Sequence, residues 1–525
     1  MSESFARTSR LHSTYRSFIP STTTDVASFA WTATLLVGLL VGVVPALTLA
    51  TDLPPLGLAV AAGVVYALVI VITRTGFEGL ASAVVVLSVF DLGVTLVRGP
   101  GEIPVSSLSL MAVDLVAVPL LIVFLYYMGS RLARPRAGFD GRTIAVAALG
   151  LFVLWTILSG IVANGQSSLA PVLEIVQYAR YGLLFVLAAL IVRATNPWCV
   201  VYPLTIAIGG NLAFALAQVA NGGGFGLKAL GETPTVILGT FTLAGSDIPY
   251  GSYAGGFVGH SREFTIILLL FVPLLVAITA RRSWSSRLFG VAGVLAAVLV
   301  IRTADTDAGW AALVLTGVLL VATLGYAALR DRHRSAAVGV LATGIGGAVA
   351  AVALALVVVA SASANAAPAI PIPLFDTRTL SVRIEQYIVA FDVARTYPLF
   401  GLGTGNFFLA IESYGLPDFR GIHGIVFSYL AATGFVGAFA YVLGVTAVLG
   451  VGVQRFLRET EGEQLLWGAL VCGMVGFHAY SLWDLAHLWD AALSILWVLM
   501  GVVVGAGIET EAESGSGSAA SPSSS

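Results

Sequence analysis

The fold is decided by residues 374–442, LFDTRTLSVRIEQYIVAFDVARTYPLFGLGTGNFFLAIESYGLPDFRGIHGIVFSYLAATGFVGAFAYV, which lie between two strongly apolar stretches. This segment combines charged and aromatic side chains, glycine-rich turns and a histidine, whereas the sequence on either side of it is almost entirely hydrophobic. We therefore expect it to fold over the surface of a membrane. If the protein is an enzyme, we expect this segment to contain part of the active site.

The composition of the whole chain is that of an integral membrane protein. Of the 525 residues, 58% are hydrophobic and 10% are charged, whereas soluble domains contain about 25% charged residues. The net charge of −2 and the lack of a basic run give no indication of a nucleic-acid partner. Both cysteines, Cys199 and Cys472, lie in apolar surroundings, where we expect them to pack as small hydrophobic residues.

Hydropathy predicts fourteen membrane-spanning helices, because a helix needs about 20 apolar residues to cross the hydrocarbon core. The predicted spans are residues 29–50, 57–73, 80–97, 110–128, 143–163, 171–192, 199–219, 262–280, 286–301, 308–328, 336–360, 425–453, 464–483 and 488–507. The short, alternating segments of a membrane β-barrel are not found in the sequence. The predicted fold class is therefore an all-α, polytopic membrane bundle of about 12–14 helices.

The positions of the arginines predict the orientation of the bundle, since loops on the cytoplasmic side carry an excess of basic residues. With the N-terminus inside, most of the 26 basic residues fall on the inner side, notably in the short loops 131–142 and 330–334. We expect a plasma-membrane protein with both termini in the cytoplasm. Its predicted parts are an N-terminal segment (1–28), eleven spans (29–360) with a glycine-rich outer loop (220–261), a large outer loop (361–424), three spans (425–507) and a disordered tail (508–525).

An amphipathic helix is predicted within the large outer loop, over RTLSVRIEQYIVAFDVARTY (378–397). Pro398 ends this helix, and GLGTG (401–405) forms a turn after it. The residues expected on its apolar side are Val382, Tyr387, Ile388, Phe391 and Val393, and those expected to face water are Arg383, Glu385, Asp392 and Arg395.

Several motifs follow one another in and after this loop: Arg383, then Pro398, Gly401, Gly403 and Gly405, then His423, then Gly434 and Gly437. Their order resembles the O-antigen ligase and polymerase family of polytopic membrane glycosyltransferases. The signature of that family has an arginine, a P-x-x-G-x-G-x-G turn, and H-N before a hydrophobic helix with G-x-x-G. Upstream, GGFVGHSREFTIILLLFVPLL (255–275) and IRTADTDAGWAALVL (301–315) resemble further segments of the family. The resemblance covers about residues 250–455.

Two positions depart from the family pattern. The asparagine that follows the family's histidine is Gly424 in this sequence. The arginine of a Ser-Arg pair is also missing, and the region of Asp305 and Asp307 takes its place, with Arg302 close by. These departures leave open a reading in which the chain is a non-catalytic member of the family.

The resemblance implies transfer of a glycan from a polyprenyl-(di)phosphate-linked donor to an acceptor hydroxyl outside the membrane, without a nucleotide sugar. The sequence shows no carboxylate-rich metal cage, so arginines could replace a divalent ion, and we expect no cofactor. The partners would be that lipid-linked oligosaccharide, a glycan, lipid or protein acceptor, and the surrounding membrane lipids. It also implies catalytic roles for His423 and Arg383. Histidine, with an ordinary pKa of about 6.5, can take the proton of the acceptor. Arginine is always protonated and can hold phosphate oxygens in a bidentate manner.

Five further residues are candidates for binding phosphate or glycan: Arg262, His260, Arg180, Arg420 and Arg302. Each also has a structural interpretation. Arg262 and Arg420 could be ordinary interfacial arginines, and Arg302 could pair with the nearby aspartates. Arg180 lies inside a predicted span, where a charge is costly, and could pair with Glu174.

A metal site is a weaker interpretation of the C-terminal region. Asp484, His487 and Asp490 have a spacing that a metal cluster could use, but Trp483 and Trp489 beside them are typical of an interfacial aromatic belt. No metal ligands are therefore assigned.

A transporter or flippase of lipid-linked glycans is the main alternative to a glycosyltransferase. Transporters of this size are commonly built from internal repeats, with charged or broken helices near the middle of the membrane. The sequence has no convincing repeat, and its polar residues concentrate on the predicted outer side. These observations favour the enzyme.

Overall fold

The computed structural model describes residues 26–51, 53–98, 107–132, 140–162, 169–233, 239–243, 246–250, 254–280, 284–304, 306–363, 377–406, 421–459 and 461–506. Most of the predicted N-terminal segment, the predicted tail and parts of the large loop lie outside these residues. In the described part of the chain nearly all residues are helical, which confirms the prediction of an all-α polytopic membrane protein.

Fifteen helices with more than one turn make up the bundle in the described ranges. They are α1 (Val26–Ala50, with a π-helical stretch at Gly38–Val43), α2 (Pro55–Thr73), α3 (Gly76–Leu87), α4 (Ala112–Leu132), α5 (Gly141–Val162), α6 (Leu169–Ala194), α7 (Trp198–Asn221), α8 (Ser261–Thr279), α9 (Trp284–Thr303), α10 (Asp307–Leu329), α11 (Arg334–Ser363), α12 (Thr377–Thr396), α13 (Ile425–Arg458), α14 (Glu461–Ser481) and α15 (Asp490–Gly505). Among the described residues, nine helices are long and apolar enough to cross a membrane, namely α1, α2, α5–α10 and α13.

The centre of the bundle is formed by the helices that expose least of their surface. Almost every side chain of α8 and α15 is buried. The most extensive helix pairs are α5 with α13, α6 with α15, and α10 with α11, closely followed by α8 with α14. By contrast α2 has alternating exposed aliphatic side chains along its whole length, as expected for a helix that faces lipid on most sides.

Two short β-hairpins interrupt the helices, where the sequence indicated none. One joins β1 (Gly93–Arg98) to β2 (Ser107–Met111), and the other joins β3 (Gly239–Leu243) to β4 (Ser246–Tyr250), both antiparallel. The first corrects the predicted span 80–97, because helix α3 already ends at Leu87. Asp91 and Gly93 follow in a sequence that is unfavourable for a helix, and the β-branched residues of GVTLVR favour a strand.

Helix α12 forms as predicted, but its packed face is only partly the one that was expected. Gln386, Ala390, Val393 and Ala394 are buried against α13 and the residues before it. Ile388 and Phe391, which were expected to be covered, remain 55% and 46% exposed. Val393, which was expected on the apolar side, is fully buried, and Tyr387 stacks on Phe427 with the ring centroids 4.0 Å apart. Arg383, which was expected to face water, is instead partly buried. Phe391 still contacts Phe427 at its edge.

Helix α13 is broken at Gly434, and the turn after α12 fills the break. Gly434 adopts φ +69° and ψ −170°, a conformation that is essentially restricted to glycine. A Cβ atom there would lie 2.6 Å from the carbonyl oxygen of Pro398. The break frees the carbonyl oxygens of Ala431 and Ala432 and the N–H of Phe435 from the helix.

Those freed backbone groups bind the glycine-rich turn directly. Leu402 N donates to Ala431 O at 2.9 Å, Gly403 N donates to Ala432 O at 3.0 Å, and Phe435 N donates to Pro398 O at 2.9 Å. Helix α5 supports the turn from the other side, where Trp155 Nε1 donates to Leu399 O at 2.8 Å. The P-x-x-G-x-G-x-G turn and the G-x-x-G helix therefore form one hydrogen-bonded unit.

Candidate functional site

His423 lies two residues before helix α13, in a position fixed by helix α12. Gln386 Oε1 accepts hydrogen bonds from the backbone N–H of His423 at 2.9 Å and from its ring Nδ1 at 2.8 Å. The imidazole is partly buried. Burial, together with the positive charges of Arg383 and Arg262, lowers the pKa of His423 to about 4, although Asp484 acts in the opposite direction. The histidine is therefore neutral at physiological pH.

Arg383 lies on α12 one turn before Gln386, so both side chains share the packed face. Its guanidinium is partly buried, and burial lowers the pKa of Arg383 from its ordinary value while Asp484 and Tyr387 raise it. Its Nε atom is inaccessible to solvent and has no hydrogen-bond partner among the described residues, and the same is true of Gln386 Nε2. Two buried N–H donors thus remain available beside His423, which is the arrangement expected of a site for an anionic oxygen.

Arg262 and His260 bring helix α8 to the same place. Arg262 is exposed in the first turn of α8 and is close enough to His423 and Arg383 to lower the pKa of both. His260 caps this helix, since its Nδ1 accepts a hydrogen bond from Arg262 N at 3.1 Å. Its ring stacks on Trp489 with the ring centroids 4.8 Å apart. Burial and Arg262 lower the pKa of His260.

Asp484 provides the negative charge of the cluster. It acts electrostatically on His423, Arg383 and His260. Tyr480 donates to Asp484 Oδ2 at 2.7 Å, and Leu485 N donates to Oδ1 at 2.7 Å. The carboxylate forms no ion pair with Arg383 within the described residues. Two arginines face one carboxylate, so the cluster keeps a net positive charge.

The backbone conformation at Gly424 explains why a glycine stands where the resembling signature has an asparagine. Its φ of +87° and ψ of +106° place it outside the regions that larger residues adopt readily, and it begins helix α13. A Cβ atom at this position would approach the rings of Phe427 and Tyr387 to 3.0 and 3.2 Å. Its N–H donates to the carbonyl oxygen of Asp484 at 3.3 Å, which joins the two parts of the cluster.

Arg180 belongs to a separate, buried cluster. Its Nε and Nη2 atoms donate to both carboxylate oxygens of Asp114 at 2.7 and 2.9 Å, and Nη1 lies 3.6 Å from Asp490. These two partners differ from Glu174, which the sequence offered as one possibility, and Glu174 accepts a hydrogen bond from the backbone N–H of Gly405. Asp114 was not recognised as the partner because it lies 66 residues away in the sequence.

More carboxylates surround that ion pair. Asp490 also accepts hydrogen bonds from Gln177 and from the hydroxyl of Tyr181. Glu263 accepts the N–H groups of Ala491 and Ala492 at the start of α15. Burial and Asp490 raise the pKa of Asp91 to about 6, partly offset by Arg180. This network connects helices α4, α6, α8 and α15, and its hydrogen bonds are those of a structural element.

The remaining predicted residues do not join the His423 cluster in the described part of the chain. Arg302 is exposed at the end of α9. Arg420 and Asp305 lie outside the described residues, as do the side chains of Asp307 and His487. In the residues that the structure describes, no three histidine, cysteine, aspartate or glutamate side chains are arranged to hold a metal ion.

Gln386 and Asp484 are the members of the site that the sequence did not indicate as functional. Gln386 lies three residues after Arg383, so helical periodicity could have shown that the two share a face. Asp484 was considered only as part of a metal cluster. No comparable sequence signal could have placed it beside His423, because the two come from segments separated by helices α13 and α14.

Comparison with known proteins adds no relative: the sequence matches no protein-family model and no curated protein.

Proposed function

We propose that the protein is a membrane glycosyltransferase that moves a glycan from a polyprenyl-(di)phosphate-linked donor to an acceptor hydroxyl. The observation that carries this proposal is the cluster of Arg383, Gln386, His423 and Arg262. It combines two buried N–H donors without partners, a net positive charge and a neutral histidine at the start of a long apolar helix. This is the set of groups needed to hold a lipid-linked phosphate and to take a proton.

The proposed reaction exchanges one bond for another at the anomeric carbon of the donor sugar. The acceptor oxygen forms a bond to that carbon while His423 Nε2 takes the hydroxyl proton. The bond from the carbon to the phosphate oxygen breaks, and its electron pair leaves with the polyprenyl (di)phosphate. Arg383 and Arg262 stabilise the negative charge that gathers on this leaving group. The proton then passes from His423 to water.

Binding of the donor also makes His423 a stronger base. The pKa of His423 is low partly because Arg383 and Arg262 are positively charged. A phosphate bound between the arginines offsets that charge, so protonation of the imidazole becomes more favourable. The pKa of His423 is therefore highest when the donor is bound, which is when the acceptor proton must be removed.

The break in helix α13 allows the glycine-rich turn to bind to this helix and support the site. The glycine-rich turn is hydrogen-bonded to α13 at Ala431, Ala432 and Phe435. Because α12 leads into this turn and also carries Arg383, these hydrogen bonds connect the helix that bears the arginine to α13. Catalytic groups on rigid, well-supported elements are positioned more accurately than those on free loops.

The proposal is tested by reconstitution in lipid vesicles with a polyprenyl-diphosphate-linked oligosaccharide and a set of acceptor hydroxyl compounds. We expect transfer without added metal ion. His423→Ala and Arg383→Ala should each lower the rate by about 10²–10⁴-fold, as expected for loss of a general base or of a charge-stabilising group. Arg302→Ala is the matched control, since Arg302 is exposed and is not among the charges that shift the pKa of His423 or Arg383, and it should transfer at the wild-type rate. Full activity in both cluster variants would refute the assignment.

Transport of the intact lipid-linked glycan remains the alternative function. In the same vesicles it would appear as movement of the donor between leaflets without formation of a new glycosidic bond. A folded wild-type protein that neither transfers nor moves the donor would support the non-catalytic interpretation.

A further inference from the structure

Gln386 is fully buried, and among the residues that the structure describes its side chain forms hydrogen bonds with one residue only. Its side-chain oxygen accepts two hydrogen bonds, from the backbone N–H and from ring Nδ1 of His423, at 2.9 and 2.8 Å. Its nitrogen, Nε2, has no partner in the described part of the chain. A polar side chain that is wholly enclosed by protein normally satisfies both ends of its amide. The unequal use of the two ends therefore has to be explained.

The first of these hydrogen bonds determines the orientation of the amide. A backbone N–H can only donate, so the atom of Gln386 that faces it must be the oxygen. The same oxygen faces Nδ1 of the imidazole. Because an amide oxygen can only accept, the hydrogen of that second bond must reside on Nδ1. In a neutral imidazole the other nitrogen, Nε2, then carries the lone pair.

We infer that Gln386 is a positioning residue that holds His423 in the Nδ1–H tautomer and leaves Nε2 unprotonated toward the cluster. No described residue forms a hydrogen bond with His423 Nε2. This inference deepens the proposed function by specifying the nitrogen that acts as the base. Its catalytic consequence rests on the proposed function, whereas the tautomer itself does not.

The unpartnered nitrogen of Gln386 can bind an anionic oxygen of the donor. Gln386 Nε2 and Arg383 Nε are buried N–H donors on one face of α12, three residues apart. An anionic oxygen that accepts from both would satisfy them together and would fix the amide against rotation. The oxygen of that amide determines the tautomer of His423. Binding of a phosphate to the amide nitrogen therefore also stabilises the Nδ1–H tautomer.

The charges that face His423 do not weaken this assignment. Arg383 on α12 and Arg262 on α8 disfavour the doubly protonated imidazolium, and Asp484 after α14 favours it. Burial, which is the largest cause of the lowered pKa, and the two arginines together outweigh the single carboxylate, so the ring stays neutral and its two nitrogens remain distinct.

The direct test is nitrogen NMR of the full-length protein in lipid bilayers with ¹⁵N-labelled histidine. The chain has six histidines, and the signals of His423 are identified by subtracting the spectrum of His423→Asn. We expect Nδ1 to be protonated and Nε2 to be unprotonated at pH 7. An Nε2–H tautomer in the wild-type protein would overturn the inference.

Substitutions at Gln386 test the role of the side chain. Gln386→Met removes the acceptor at similar volume, and we expect the Nε2–H tautomer to become populated and kcat to fall about 10²–10⁴-fold with little change in KM, as is typical of a catalytic histidine in the wrong tautomer. Gln386→Glu keeps an acceptor, and we expect it to retain the Nδ1–H tautomer while moving the acid limb of the pH–rate profile upward. A residue that is only structural would not move that limb.

The neighbouring residue supplies the control and separates the two proposals. Glu385→Gln changes an exposed side chain on the same turn of α12, and it should leave both the tautomer and the pH profile unchanged. Retention of the wild-type tautomer and of kcat in Gln386→Met would overturn the positioning role. The Nδ1–H tautomer in a wild-type protein that transfers no glycan would instead support the tautomer assignment and refute the proposed reaction.

Discussion

At the scale of single residues, the site depends on how His423 is kept neutral and oriented. His423, which precedes an apolar helix, could be recognised in the sequence because its place in the order of motifs resembled a known pattern. Its environment could not, since the groups that control it come from α12, α8 and the segment after α14. The contribution of Gln386 depends on a distance of 2.8 Å to Nδ1, which no sequence pattern specifies.

The charges around His423 lead to a prediction with two opposite signs. Arg262→Gln removes a positive charge that lowers the pKa of His423, so the pKa should rise from about 4 toward its ordinary value. Asp484→Asn removes a negative charge that favours the protonated ring, so the pKa should fall further. Both are measured by ¹⁵N NMR titration of His423, and the acid limb of the pH–rate profile should move in the same direction as the pKa. Shifts of equal sign in the two variants would contradict the arrangement.

At the scale of secondary-structure elements, the sequence predicted that α12 forms but not fully which of its sides is packed. Its existence and its end at Pro398 followed from periodicity and from proline. Its packed face followed only in part: Val393 was expected to be covered, but Gln386 and Ala390 were not, because the sequence offers two sides that can be covered. Ala390 and Val393 allow close approach to α13, and Gln386 gains His423 as a partner, so the smaller side is buried.

The exposed apolar side of α12 should rest on the membrane surface. A spin label at Ile388→Cys is expected to be accessible to oxygen, which concentrates in lipid, and protected from a water-soluble nickel reagent. A label at Asp331→Cys, on an exposed polar position between α10 and α11, is the aqueous reference and should show the reverse. Electron paramagnetic resonance in vesicles measures both accessibilities. Equal access of the nickel reagent at the two sites would show that α12 stands in water.

The break in α13 gives a second prediction at this scale. Gly434→Ala forces a Cβ atom to within 2.6 Å of Pro398 O and into an unfavourable backbone conformation. We expect a loss of about 1–3 kcal/mol in the free energy of unfolding and reduced transfer, because the turn would separate from the helix. Gly450→Ala is the matched control in α13, since nothing lies within 4 Å of its Cβ position. Thermal unfolding in detergent should show a lower Tm only for Gly434→Ala.

At the scale of the whole molecule, the all-α bundle followed from composition and hydropathy, whereas its internal connections did not. Each of the predicted spans contains a helix, although the one at 80–97 is much shorter than expected. The ion pair between Arg180 and Asp114 illustrates what was missing. An intramembrane arginine signals that a partner exists, but the partner is chosen by the packing of α6 against α4 and α15.

That ion pair should be essential for stability and independent of transfer chemistry. Arg180→Met leaves the Asp114 and Asp490 carboxylates without their cation, and we expect a loss of about 3–5 kcal/mol in unfolding free energy. Combining it with Asp114→Leu should recover part of that loss, since an apolar pair can replace a buried ion pair. Chemical unfolding of the single and double variants measures both effects. A loss of unfolding free energy in the double variant that exceeds the sum of the losses in the two single variants would contradict this interpretation.

The central claim is that the cluster around His423 breaks the bond between a glycan and its polyprenyl phosphate carrier. The most direct measurement is the ratio of free polyprenyl diphosphate released to glycosidic bonds formed, in vesicles containing the wild-type protein, a polyprenyl-diphosphate-linked glycan and an acceptor. We predict one carrier released for each new bond, with both products lost together in His423→Ala. Disappearance of the donor from one leaflet with no released carrier and no new bond would contradict the claim.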